Sequence, residues 1–283
     1  MGVCIIADSA SDIPQKTAKE WNITVLPMNV RFGEEEFLDG VTLAPDEFFN
    51  RLKQEKEPPK TSQITPLIYE ETFGKAIKNG DDVLCFCLSS GVSGSYQSAL
   101  TAADEAGGYV SVIDTQQFCI SEYVIVKRAV HLRDEGKSAK EIDAIIRKEL
   151  PNAHVLAAFD TLEYLKKGGR LSSAKAIVGK ILSVKPLLTI EDGVVNVWGK
   201  ARGTKNIVGG LMDKAASYEI DFDKPIMFGF TGAYNDSINL LMDRFRKEYK
   251  ITTPVTAVPV GATIGTYAGP GAVAVAFFSK EKE

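Results

Sequence analysis

Hydrophobic runs of the kind found in buried parallel strands recur through the first half of the chain. Residues 3–9 (VCIIADS), 83–90 (VLCFCLSS) and 109–115 (YVSVIDT) are almost continuously apolar, and each ends in small polar residues. Such runs are typical of strands that are covered on both faces. Helical patterns lie between them, as in residues 45–52 (PDEFFNRL) and 95–106 (SYQSALTAADEA). The first half therefore predicts alternating strands and helices around a mostly parallel sheet.

The pattern near the N-terminus makes two finer predictions. Ser11 or Asp12 is expected to cap the helix that follows the first strand, with Pro14 in its first turn. Residues 23–32 (ITVLPMNVRF) predict one further strand, and the EEFLDG segment after it is expected to continue into a turn.

A second unit is expected from about Pro151 onwards. Residues 185–203 alternate in polarity on either side of Glu191-Asp192-Gly193, which predicts a hairpin, and residues 237–249 predict an amphipathic helix. The predicted fold class is α/β with two α/β domains, residues 1–150 and 151–283, and two sheets. The first sheet is expected to be mostly parallel and the second mixed, with the ligand between and within the domains.

Composition narrows the function classes. The length of 283 residues favours two domains over one. A net charge of -4 argues against a nucleic-acid partner, which would need a basic surface. The N-terminus shows no leader pattern, and no apolar run approaches the ~20 residues that span a bilayer. We therefore expect a cytoplasmic protein.

Several familiar site motifs are absent or out of context. The four cysteines (Cys4, Cys85, Cys87 and Cys119) are expected to be buried as small hydrophobic residues, since the two histidines, His131 and His154, stand alone. No phosphate-binding G-x-x-x-x-G-K-[ST] loop is present, and the G-x-G-x-x-A match at residues 269–274 leads into a strand. The sequence therefore predicts no metal, no cofactor and no catalytic group of its own.

The segment SSGVSGSYQSA (residues 89–99) is the sharpest candidate site. A strand ends there, a glycine-flanked turn follows, and Ser93, Gly94 and Ser95 are expected to open a helix. Unpaired N–H groups at a helix start, together with hydroxyls, suit a small anion such as a carboxylate or phosphate. A simple capped turn remains the alternative interpretation.

Three other segments have polar residues without an obvious local role. Thr65 is the better N-cap for the helix after Thr61-Ser62-Gln63, which leaves Thr61 and Ser62 unexplained. A glycine-rich loop, GTYAGPGAVA (residues 265–274), is expected before the final strand. Basic residues cluster in residues 164–170 and 199–205, as solvated loops or as contacts to an acidic partner or a bound anion.

Taken together, these segments resemble the DegV family of fatty-acid-binding proteins, the lipid-carrying subunit of bacterial fatty acid kinase. The resemblance covers the whole chain and is carried by six motifs in order. They are Asp8-Ser9-Ala10-Ser11-Asp12, Thr61-Ser62-Gln63, residues 89–99, LEYLKKGGRLS (residues 162–172), Lys185-Pro186-Leu187-Leu188 and residues 265–271.

The resemblance implies a long-chain fatty acid whose carboxylate lies in the first domain and whose acyl chain lies in the second. Carboxylate binding falls to Thr61, Ser93, Gly94 and Tyr267, with Ser62 and Arg170 in support. The family usually has a histidine where this chain has Tyr267. A phenol donates one hydrogen bond but does not become a cation near neutral pH.

The resemblance also implies a partner. A separate ATP-dependent kinase subunit would phosphorylate the bound carboxylate after docking at Arg202, and the carrier would then hold the acyl phosphate. Transient exchange with a membrane or an acyltransferase is a further expectation. Two alternatives stay open. One is an enzyme that binds a small carboxylate or phosphate at the helix start near residues 93–95, and the other is a regulatory module in which lipid is a structural filler.

Overall fold

The computed structural model describes residues 2–171, 184–253 and 255–281, so Ser172 of the LEYLKKGGRLS motif lies outside the described residues. Strands β1 to β13 run over Val3–Asp8, Thr24–Leu26, Asn29–Phe32, Glu35–Leu38, Lys60–Ser62, Asp82–Cys87, Val110–Asp114, Ala153–Ala158, Lys185–Glu191, Val194–Ala201, Met227–Phe230, Ala257–Pro259 and Val273–Phe278. Helices α1 to α10 run over Gln15–Glu20, Pro45–Leu52, Pro66–Lys78, Ser95–Asp104, Ile120–Asp134, Ala139–Glu149, Glu163–Lys167, Thr204–Ala216, Asp236–Glu248 and Ala262–Ala268.

The first sheet is parallel throughout, in the order β2-β1-β6-β7. Strand β1 is buried on both faces because Ile5 and Ala7 pack into one hydrophobic cluster while Ile6 packs into another on the opposite side. Cys85 and Cys87 share the face of Ile6, and Phe86 lies on the other face, as the alternation of a strand requires. The continuous apolar runs therefore correspond to strands that are covered on both faces.

The second sheet has the order β10-β9-β8-β13-β11-β12 and is antiparallel except between β11 and β12. Its hairpin turns at Asp192 and Gly193, whose φ angles of 51° and 75° match the two-residue turn predicted there. The α/β fold class, with a parallel first sheet and a mixed second one, is confirmed.

Two predictions about residues 23–40 were wrong. Residues 23–32 form two strands, because Pro27 has no N–H to continue a ladder. Strand β2 joins the parallel sheet, whereas β3 pairs with β4 and β5 in a third, antiparallel sheet. The EEFLDG segment thus contributes a strand where a turn was expected, and the described chain has three sheets instead of two.

A further correction concerns the segment around Tyr267, which lies in helix α10 and not in a loop. Asp12, which was predicted as a possible cap of the first helix, has another role. It adopts a left-handed conformation (φ 57°), and its carboxylate accepts a hydrogen bond from the Gly261 N–H at 2.8 Å. Helix α1 begins at Gln15, with Pro14 in the N-cap position.

The predicted domain boundary falls in a 3₁₀ turn, Leu150–Asn152, between α6 and β8. Elements from both sides of it pack together, since α5 lies against β8, β11 and β13, and α10 lies against α2, β3 and β5. The division at residue 150 stays a prediction. Within the described ranges, no helix combines the length and apolar composition needed to cross a bilayer.

Candidate functional site

The candidate site lies at the carboxyl ends of the parallel strands. From β1 the chain crosses to β2 on one side, while β6 and β7 lie on the other, which leaves a crevice beyond β1 and β6. Asp8 ends β1, and its carboxylate accepts hydrogen bonds from the N–H groups of Leu88 (2.8 Å) and Ala10 (3.0 Å). Burial raises the pKa of Asp8 to about 7. Asp8 thus joins the ends of β1 and β6 beneath the crevice.

A cavity of about 340 Å³, here called the outer cavity, occupies this crevice. Its volume falls in the range of small-molecule sites, roughly 300–1,000 Å³. Its lining is Met28, Thr61, Ser62, Gln63, Leu88, Val92, Ser93, Gly94, Phe118, Phe159, Leu165, Arg170, Val195, Thr263, Ile264, Tyr267 and Ala268.

Hydroxyl groups from distant parts of the chain meet in the outer cavity. The Thr61 Oγ1 lies 2.7 Å from the Tyr267 hydroxyl oxygen, which joins β5 to α10. The Ser93 Oγ lies 3.1 Å from the Ser95 Oγ and accepts from the Ser95 N–H at 3.2 Å. These hydroxyls lie beside the start of α4, where N–H groups have no partner within the helix. The arrangement suits one small anionic group.

The segment after β5 is bonded directly to α4. The Gln63 Nε2 donates to the Ser98 Oγ at 2.9 Å, and the Ile64 N–H donates to the Ser95 Oγ at 3.3 Å. The Gln63 side chain passes so close to Gly94 that a Cβ there would collide with it. Gly94 is therefore required for this packing, whatever it contributes to a ligand.

Tyr267 is held between α7 and the loop that follows it. Its ring lies against Gly168, and the Tyr164 ring lies against Gly269, so a Cβ on either glycine would strike an aromatic ring. The Arg170 guanidinium stacks over the Tyr267 ring at 5.1 Å and donates to the Gly168 carbonyl at 2.9 Å. Arg170 thereby places a cation at the edge of the outer cavity.

A smaller space of about 60 Å³, here called the inner chamber, adjoins the outer cavity. The two share the lining residues Phe118, Phe159, Val195, Ile264 and Ala268, and the inner chamber exposes apolar surface alone. The second sheet forms one wall of the inner chamber.

The inner chamber exists because small residues meet across three neighbouring strands. Ala157 of β8 pairs with Ala274 of β13, which pairs with Gly229 of β11, and all three line the chamber. Ala157 and Ala274 leave room above the sheet that larger side chains would fill. Gly229 instead lets the Ile120 side chain pack against β11, since a Cβ there would come within 2.8 Å of it.

The sequence-predicted site residues divide into two groups. Thr61, Ser62, Ser93, Gly94, Arg170 and Tyr267 all line the outer cavity, although their roles stay predictions. Arg202 lies elsewhere, exposed between β10 and α8, with its carbonyl accepting from the Asn206 Nδ2 at 3.0 Å. Helix α4 begins two residues later than the expected opening at Ser93, at Ser95.

Other candidate chemistry falls outside the cavity. His131 lies in α5 and His154 in β8, and neither lines either space, so Ser93 has no histidine base beside it. All four cysteines are free; Cys85 and Cys87 are buried as predicted, whereas Cys4 and Cys119 are half-buried. Burial of the thiol raises the pKa of Cys119 to about 12. Among the described residues, no group of histidine, cysteine and carboxylate side chains is placed to hold a metal ion.

Sequence reasoning missed the bond between Gln63 and Ser98 and the small-residue row. Gln63 belongs to the Thr61-Ser62-Gln63 motif, but its partner Ser98 is 35 residues away. The row had a visible signal, since each of the three strand sequences (AHVLAA, MFGF and VAVAFF) places a small residue where the pattern of a packed strand would put a large one.

A family model described as uncharacterised protein, DegV family, matches residues 2–280. The chain belongs to the DegV family. A DegV domain-containing protein of Caldanaerobacter subterraneus subsp. tengcongensis is 34% identical over 98% of this chain and 99% of its own length. A DegV domain-containing protein of Clostridium perfringens is 31% identical, covering 98% of each chain.

Solved DegV structures share the fold. A DegV family protein of Thermus thermophilus, described by its fatty acid binding, has a TM-score of 0.91 and 29% identity, covering 99% of this chain and 100% of its own. DegV of Bacillus subtilis, described as a fatty acid binding protein, has a TM-score of 0.85 and 26% identity, with coverage of 99% and 100%.

Proposed function

We propose that this protein binds one long-chain fatty acid, with the carboxylate at Thr61 and Ser93 in the outer cavity and the acyl chain running along the apolar side of that cavity into the inner chamber. The observation that carries this proposal is that the two spaces adjoin and share five lining residues. Hydroxyls converge at one end, and apolar surface alone is exposed at the other. The fatty acid binding of the Thermus and Bacillus relatives supports the same ligand class.

The energetics suit this division. Burial of one methylene is worth ~0.8 kcal/mol, so a tail of about 14 methylenes gains on the order of 10 kcal/mol before ordering costs. The tail supplies affinity. The hydroxyls then determine which end of the lipid lies at the start of α4.

The proposal extends to a separate, ATP-dependent kinase subunit that phosphorylates the bound carboxylate, after which this protein carries the acyl phosphate in the cytoplasm. The outer-cavity lining, within the described residues, contains no carboxylate or imidazole to act as a general base. Chemistry supplied by a partner is consistent with such a lining. Exchange of lipid with a membrane or an acyltransferase would complete the carrier role.

Arg202 is the proposed docking residue for that kinase. It is exposed, as are Lys200 and Lys205 beside it, so the junction of β10 and α8 presents a basic surface. Arginine is enriched among the residues that dominate interface energies, and its loss can cost ~2 kcal/mol or more. An acidic patch on the kinase fits this surface.

Two measurements on one preparation test the proposal. Organic extraction and mass spectrometry should recover a long-chain fatty acid at a near-equal molar ratio, whereas recovery of nucleotide or sugar phosphate alone would reject fatty acid binding. Arg202→Ala should keep that lipid content but greatly reduce acyl phosphate formation with the cognate kinase. Lys247→Ala, an exposed lysine on α9, is the matched control. Normal phosphorylation by Arg202→Ala at limiting carrier would reject the docking role.

A further inference from the structure

The motif Asp8-Ser9-Ala10-Ser11-Asp12 has no role in the proposed function apart from Asp8 beneath the crevice. The structure shows what its last member does. The Asp12 Oδ1 accepts from the Gly261 N–H at 2.8 Å, and Asp39 accepts from the next two N–H groups, those of Ala262 (2.8 Å) and Thr263 (3.1 Å). Three successive N–H groups at the start of α10 are therefore satisfied by two buried carboxylates from the other end of the chain.

Burial of a carboxylate costs free energy, which its hydrogen bonds must offset. Asp39 is 1% exposed and Asp12 is 6% exposed, and burial raises the pKa of both. The amide donors and the positive end of the helix dipole favour the ionised forms. A single polar cap of the common kind would satisfy a seven-residue surface helix, so two carboxylates indicate that the position of α10 matters more than its formation.

Asp39 is itself fixed to the sheet that holds Thr61. Its N–H donates to the Met28 carbonyl at 3.0 Å, and the Ser9 Oγ donates to its carboxylate at 3.0 Å while accepting from the Met28 N–H at 3.0 Å. Met28 leads into β3, and β3 pairs directly with β5, where Val30 lies opposite Thr61. Asp39 thus connects the start of α10 to the strand pair that carries one partner of the Thr61–Tyr267 hydrogen bond.

Helix α10 carries the other partner near its far end. Gly265, in the middle of the helix, lies so close to Phe48 and Phe49 that a Cβ there would come within 2.7 Å and 2.8 Å of their rings. With its start held by carboxylates and its centre packed on α2, the helix has little freedom to slide. A hydrogen bond weakens when its donor and acceptor separate by more than about 0.5 Å from the ideal distance, so a small shift of α10 breaks the 2.7 Å contact between Thr61 and Tyr267.

We propose that Asp39, supported by Asp12, is a positioning residue that holds the Tyr267 hydroxyl against Thr61 and so prepares the outer cavity for a carboxylate. The role in carboxylate binding rests on the proposed function, whereas the claim that Asp39 holds the Tyr267 hydroxyl against Thr61 does not. Asp39 does not line the outer cavity, and it acts through α10.

The first test needs no lipid. 3-Fluorotyrosine is placed at position 267 alone, and the ¹⁹F chemical shift of the ligand-free protein is recorded. Asp39→Asn and Ser9→Ala should move the signal in the direction that Thr61→Val moves it. Asn235→Ala is the matched control, because Asn235 caps the distant helix α9 by accepting from two N–H groups. An unmoved signal in a folded Asp39→Asn protein would overturn the proposal, even if the wild type bound no fatty acid.

The second test compares palmitic acid with 1-hexadecanol, which has the same tail without the carboxylate. Asp39→Asn should weaken palmitic acid binding about five- to tenfold, a part of what one charge-assisted hydrogen bond contributes, and change 1-hexadecanol binding less than about twofold. In a Tyr267→Phe background, Asp39→Asn should add less than about twofold, because the group it positions is gone.

Additive losses, or equal losses for the acid and the alcohol, would show that Asp39 stabilises the fold without positioning Tyr267. Should Asp39→Asn fail to fold, Asp12→Asn and Ser9→Ala carry the same comparison. A wild type that binds neither palmitic acid nor 1-hexadecanol contradicts the proposed function, and the fluorine experiment then decides the positioning role by itself.

Discussion

The outer cavity and the inner chamber are built from different parts of the chain and from different kinds of side chain. The outer cavity draws Thr61 from a short strand, Ser93 from the turn before α4 and Tyr267 from the last turn of α10, and a hydrogen bond joins Thr61 to Tyr267. The inner chamber draws most of its wall from one sheet and owes its space to Ala157 and Ala274.

Because the two regions use different kinds of contact, each should respond to a different feature of a lipid. Hydrogen bonds have strict geometry, so the outer cavity discriminates between head groups. Apolar contact is non-directional and grows with buried area, so the inner chamber responds to the length of the tail. A substitution in one region should therefore change one kind of selectivity and spare the other.

The largest effect is expected from filling the inner chamber. Ala274→Phe places an aromatic ring in the middle of the small-residue row. If it displaces about four methylenes of a long tail, binding should weaken by ~3 kcal/mol. Isothermal titration with palmitic and decanoic acids measures this, and decanoic acid is the internal control because its shorter tail should lose little. Equal losses for both acids would show that the tail does not enter this chamber.

Removal of single hydroxyls in the outer cavity should have a smaller effect that depends on the head group. Thr61→Ala and Ser93→Ala should each weaken fatty acid binding by roughly 1–3 kcal/mol, because a buried carboxylate is left short of a donor. Phosphorylation should suffer more, since a misplaced carboxylate is a poor nucleophile. Normal acyl phosphate formation by the double variant would show that the carboxylate binds elsewhere.

The stability of the whole protein should depend on pH through Asp8, which lies beneath the outer cavity. Because burial raises its folded pKa from 3.8 to about 7, the folded protein retains a proton that the unfolded chain has lost. The free energy of unfolding should therefore fall as pH rises from about 4 to about 7, by up to ~1.4 kcal/mol per pH unit from this group.

Urea unfolding of wild type and Asp8→Asn across that range isolates the contribution, since the asparagine does not titrate. Asp46→Asn, at an exposed position on α2, is the control and should parallel the wild type. A wild type and an Asp8→Asn variant with the same pH dependence would contradict the raised pKa.

The smallest effect is expected from Arg170, which is exposed at the cavity edge. Arg170→Gln should weaken fatty acid binding by ~0.5–1 kcal/mol at low salt, because an exposed cation is screened by solvent. The loss should shrink at high ionic strength. Lys166→Gln, on the neighbouring helix α7, is the control. An effect on a fatty alcohol as large as that on the acid would show that Arg170 acts by packing.

Local patterns predicted the elements whose stability is local. The hairpin at Asp192 and Gly193 was visible because its turn needs left-handed residues, and residues 45–52 were visible as a helix because Phe48, Phe49 and Leu52 share one face. The family resemblance went further and brought together six residues that now line one cavity. Nothing in a linear pattern relates Thr61 to Tyr267, so that grouping depended on the resemblance.

Helix α10 was not predictable for a physical reason. Its sequence, ATIGTYA, contains glycine, two threonines and other residues with weak helix propensity. Its start is held by Asp12 and Asp39, and its centre by Phe48 and Phe49, all more than 200 residues earlier in the chain. At Pro27, one apolar run that was predicted as a single strand divides into two strands that belong to different sheets.

The distance along the chain between contacting residues also has a consequence for synthesis. Thr61 and Tyr267 are separated by 206 residues, and Asp12 and Gly261 by 249. Ribosomes add roughly 5–20 residues per second, so the first parallel strands wait at least ten seconds or so for the helix that completes the outer cavity. Contacts of such high sequence separation form slowly. During translation the chain should therefore pass through a long interval in which its first sheet is folded and its lipid affinity is absent.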